Sequence, residues 1–98
     1  MFELIIYLTV AGNTEIIHSN EYVNGQACAY NQGVWAQHYR NQPFVATSNL
    51  RFDFADVNSD GEYEFMRVRM DIAQEEEKGD VQIVCVSKNK DLRADNER

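Results

Sequence analysis

At 98 residues the chain has room for one domain with a modest core. One proline, five glycines and 44% apolar content exclude a low-complexity chain, and the longest nearly apolar run, Leu4 to Val10, is too short to span a bilayer. The net charge of −7 argues against nonspecific attraction to nucleic acid or anionic lipid.

Residues 2–10 alternate, with Phe2, Leu4, Ile6, Leu8 and Val10 on one face. Ile5 and Tyr7 make the other face partly apolar, as suits a strand central to a sheet. Glu3 stands where the basic region of an export signal belongs, so a cytoplasmic protein is expected. Ala11 to Thr14 reads as a turn and Glu15 to His18 as the returning strand. A helix is expected over residues 20–41, capped by Ser19 or Asn20 and closed before Pro43. Its apolar stripe is read as Val23, Ala27, Tyr30, Val34 and His38, with a break near Gly25 as the alternative.

From Phe44 the period changes to two. Leu50, Phe52 and Phe54 share one face, and Met66, Val68, Met70 and Ile72 share another beyond the turn at Asn58-Ser59-Asp60-Gly61. Both strands must turn those faces to one side of the sheet. This selects the pairing of Phe54 with Met66, Phe52 with Val68 and Leu50 with Met70, which sets Asp53 across from Arg67 and leaves a loop over residues 58–62. After a charged loop, residues 81–86 form the last strand, expected to pair Ile72 with Val81, Met70 with Ile83 and Val68 with Cys85. Residues 88–98 carry little apolar content beyond Leu92 and read as a weakly structured tail. The expected fold is α+β, a single domain over residues 1–87 in ββαβββ order, with a mostly antiparallel sheet and one helix packed on one face.

Cys28 and Cys85 are far apart in sequence and are expected as buried thiols rather than a disulfide. His18 and His38 lack ligand spacing to either cysteine and read as packing residues. No nucleophile, base or cofactor motif emerges, so neither an enzyme nor a cofactor is expected. Asp56-x-Asn58-x-Asp60-Gly61-x-x-Glu64 resembles the first half of an EF-hand or dockerin calcium loop, which implies a calcium-binding module as the alternative function. The resemblance breaks where the last carboxylate belongs, because Arg67 stands there, and strands replace the flanking helices.

Between Asp53 and Asp80 ten carboxylates face only Arg67, Arg69 and Lys78, so the whole net charge belongs to this stretch. Asp56, Asp60, Glu62 and Glu64 at the hairpin tip, with Glu75, Glu76 and Glu77 beyond it, are the expected partner-binding residues. Trp35 joins them as a residue type favoured at interface hot spots. The expected partner is a protein with a basic surface, with neither direct nucleic-acid binding nor a membrane involved. Pairing of two protomers through a free sheet edge, or assembly into a larger complex, stays open. In size, acidity and lack of catalytic motif the chain is similar to the small inhibitors of phages and mobile elements, such as anti-CRISPR and DNA-mimic proteins. That similarity implies an inhibitor or mimic acting on a nucleic-acid-handling protein.

Overall fold

The computed structural model describes residues 1–72 and 78–88, with the backbone alone at 46–49. Its elements are β1 (Phe2–Val10), β2 (Asn13–Tyr22), α1 (Gly25–Arg40), β3 (Val45–Val57), β4 (Tyr63–Ile72) and β5 (Gly79–Ser87). The strands form one antiparallel sheet in the order β2-β1-β5-β4-β3, with α1 on one face. The α+β class and the ββαβββ order are as the sequence predicts. Residues 89–98, most of the expected tail, lie outside the described residues.

The period-two alternation of β1, β4 and β5 turns Leu4, Ile6, Val68, Met70, Val81 and Ile83 under the helix. Each such aliphatic side chain contributes about 1.5–3 kcal/mol by leaving water. The β3–β4 register is the expected one at Phe54–Met66, Asp53–Arg67 and Phe52–Val68, and the strands end at Val57–Tyr63 around a loop of residues 58–62. Beyond Arg51–Arg69 the register shifts, and pairing resumes at Ala46–Asp71, so Leu50 does not continue it onto Met70.

Three expectations are corrected. First, β2 runs on to Tyr22, because the long β1 offers it partners as far as Phe2. Neither Ser19 nor Asn20 therefore caps a helix. Asn24 does, its Oδ1 accepting from the Ala27 amide at 2.8 Å, and Gly25 falls at the first helical position, where it does little harm. Second, the buried stripe of α1 is Cys28, Gln32 and Ala36, while Val23, Tyr30, Val34 and His38 are exposed. The stripe turns on Gln32, whose Nε2 donates to the carbonyls of Met66 (3.1 Å) and Ile83 (2.8 Å) and so satisfies its polar head. Third, β5 is displaced by two residues from the expected pairing, with Met70 on Val81 and Val68 on Ile83. A two-residue slide keeps every side chain on its face, so alternation does not distinguish the two registers. The other ladder of β5 depends on Gly79: a Cβ there would strike the Thr9 carbonyl oxygen, and this close approach lets β5 start beside Val10 of β1.

Cys28 and Cys85 are joined in a disulfide with Cα atoms 6.1 Å apart, not held as separate thiols. The register that puts Cys85 on the inner face between Leu4 and Met66 brings it beneath the helix position occupied by Cys28.

Candidate partner-binding surface

A five-stranded sheet is about 19 Å across at 4.8 Å per strand, whereas one helix covers about 10 Å. The disulfide and Gln32 fix α1 over β5 and its neighbours. The inner face of edge strand β3 is left partly bare. Phe52 and Phe54, which point to the helix side as their register requires, remain 57% and 53% exposed. Sequence reasoning assigns them to the core, since alternation fixes the face of a residue and not whether anything lies above it. With Leu50, Met66 and Val68 they floor a groove of about 800 Å³, walled on the helix by Ala29, Gly33, Ala36 and Arg40.

The acidic tip closes one end of this region. Asp56 and Val57 end β3, and Asp60 and Glu62 lie in the loop, all exposed. Val57 and Tyr63 are exposed beside them, and the Tyr63 ring rests 5.1 Å from that of Phe54. Asn58 organises the turn: its Oδ1 accepts from the amides of Asp60 (2.9 Å) and Glu62 (3.0 Å), while Gly61 takes φ +81°. The Asn58 oxygen that a calcium loop would turn toward its ion is thus engaged by the loop itself. Among the described residues no cluster of three or more histidine, cysteine or acidic side chains is placed to hold a metal.

Other predicted site residues fall elsewhere. Glu64 is only 6% exposed, because it continues the inward row of Met66, Val68 and Met70, and it does not join the surface field. The same alternation that placed those three residues was sufficient to place it. Glu75, Glu76 and Glu77 lie outside the described residues. The described residue that precedes them, Ile72, is at the end of β4 opposite Tyr63, about 30 Å along the strand at 3.3 Å per residue. Trp35 packs against His18 of β2 at 4.7 Å and Tyr39 at 6.0 Å, on the side of the helix away from β3. It is half-buried and does not meet the hairpin. His18 and His38 both touch this aromatic cluster, His18 half-buried and His38 exposed rather than on the buried stripe.

The outer face carries ion pairs rather than a uniform field. Arg67 holds Asp53 through Nη2 at 2.8 Å and Nε at 3.0 Å, the expected cross-strand pair, and Arg51 holds Asp71 at 2.7 Å. These pairs are partly exposed and contribute about 0–1 kcal/mol each. Asp56, Asp60 and Glu62 are the exposed carboxylates at the tip itself.

The fold and site define a small α+β protein with one helix on a five-stranded antiparallel sheet and an apolar groove beside an acidic hairpin tip. No family model, curated protein or solved structure matches the chain. Among the described residues no helix is long and apolar enough to cross a membrane.

Proposed function

We propose that the protein is a non-enzymatic binding protein that sets the acidic tip of its β3–β4 hairpin against a basic surface of a partner protein. The observation that supports this reading is the adjacency of Asp56, Asp60 and Glu62 to the exposed side chains of Phe52, Phe54, Val57 and Tyr63. Carboxylates steer a basic partner and set its orientation, while desolvated aromatic side chains supply most of the affinity of an interface. Either alone is common on a surface. Together, on a paired and stiff hairpin, they form a surface on which both terms act at once. A protein that handles nucleic acid offers a matching basic surface, and an acidic protein seated there competes with the phosphate backbone, which makes inhibition the expected consequence.

The test is affinity capture from a lysate of the source cells, followed by binding measurements on the captured protein. Asp60→Asn/Glu62→Gln is expected to slow association several-fold and to flatten its salt dependence. Equal capture and equal rates for this variant and the wild type would refute the acidic-face reading.

A further inference from the structure

We propose that the groove between α1 and β3 receives a cationic amphipathic helix of the partner protein; this rests on the reading of the hairpin as the binding side. Three features of the groove point to a helix. Its floor is apolar and its width is what one short helix leaves uncovered on a five-stranded sheet. Its helical wall has Ala29, Gly33 and Ala36 as small residues beside the longer Gln37 and Arg40, and along the small ones a second helix can approach at the usual 8–10 Å. Gly33 supplies the third. It stands in the interior of α1, has no positive φ, and a Cβ placed on it would meet nothing within 4 Å. A glycine there destabilises the helix by about 0.8–1 kcal/mol relative to alanine. Nothing within the described fold requires the absence of that Cβ, and its absence leaves this part of the wall open to a backbone arriving from outside the chain.

Charge sets the chemistry of the occupant. The groove lining itself includes one charged residue, Arg40, whereas the exposed Asp56, Asp60 and Glu62 follow Phe54 along the hairpin just outside it. A helix seated with its positive N-terminal end and lysine or arginine side chains toward the hairpin tip complements this polarity. It presents leucine-like residues at helical spacing to Phe52, Phe54 and Met66.

The probe is a fluorescein-labelled peptide of about 18 residues, or 27 Å of helix, with leucine on one face and lysine on the other. Controls carry the leucines in scrambled order or glutamate in place of lysine. Binding is read by fluorescence anisotropy, and its location by amide chemical-shift changes. The expected result is that the lysine peptide binds and perturbs Ala29, Gly33, Phe52 and Phe54, while both controls bind at least tenfold more weakly. Gly33→Leu, which fills the groove from the helix side, and Phe54→Lys, at an exposed position, each reduce binding at least tenfold with the folded circular dichroism spectrum retained.

Absence of binding, or equal binding of the scrambled peptide, overturns the inference. So do shifts confined to the outer edge of β3, which indicate an added strand. Sedimentation showing a dimer that Gly33→Leu dissociates makes a second copy the occupant and likewise overturns it. If Gly33→Leu has no effect but Asp60→Asn/Glu62→Gln abolishes binding, the groove inference fails and the acidic-face reading stands. If Gly33→Leu abolishes binding that is indifferent to the tip variant and to salt, the helix-binding groove stands and the acidic-face reading fails.

Discussion

The bridge between Cys28 and Cys85 joins residues 57 apart, and breaking it relaxes a long loop in the unfolded chain. In the chain-entropy account, a closed loop of that length removes about 14 cal/mol/K from the unfolded ensemble, or about 4 kcal/mol at 25 °C. Domains of this size are stable by roughly 5–15 kcal/mol, so the bridge carries a large share of the margin. Both cysteines are fully buried, and a reductant must wait for the helix to lift from β5. The comparison is therefore made on protein reduced in urea and refolded under reductant, against protein refolded oxidised. With a urea dependence of about 1.5 kcal/mol per molar, the reduced form is expected to unfold roughly 2–3 M earlier. The same unfolding midpoint for both forms would refute the reasoning, as would two titratable thiols in the denatured but unreduced protein.

Gly79→Ala drives a methyl group into the Thr9 carbonyl oxygen and is expected to destabilise the fold by about 3 kcal/mol or more, read from urea midpoints. A change below 1 kcal/mol would mean that β5 does not start where β1 ends. Burial pushes the Tyr39 phenol above its ordinary value. Its stabilising contribution is fully present below pH 10 and is lost as pH rises through the folded-state value, because the unfolded chain gives up that proton first. Absorbance at 295 nm should show a late phenol ionisation that Tyr39→Phe removes. The same high-pH profile in Tyr39→Phe and the wild type would contradict the burial of Tyr39.

Local rules carried the reading of this sequence wherever a rule has one answer. The face shared by Phe52 and Phe54, the face shared by Met66 and Val68, and the 58–62 loop all follow from a period of two and one turn. What alternation leaves degenerate is what needed the three-dimensional fold. A slide of β5 by two residues along β4 preserves every face, so the local pattern leaves that register undetermined. Pairing of Cys28 with Cys85 depends on β5 lying beneath the helix, which no local pattern encodes. Gln32 is a polar residue in the buried stripe, and its place becomes intelligible only when two strand carbonyls meet its amide. The candidate site was half legible: charge pointed to the hairpin, but the exposure of Phe52 and Phe54 depends on strand order.

The strand order β2-β1-β5-β4-β3 has a consequence for how the chain acquires its fold during synthesis. Before residues 79–87 leave the ribosome, β1 with β2 and β3 with β4 are two separate hairpins that share no ladder, and an isolated hairpin is marginal in water. β5 is made after the other strands and lies between them, so its arrival supplies both missing ladders and the sulfur that clamps the helix. Completion of the sheet therefore waits for β5 and joins segments about 80 residues apart, such as Phe2 and Ser87. During that wait the edges of β1 and β4 are open to other chains. Those two open edges are the places where an incomplete sheet is exposed to pairing with another chain.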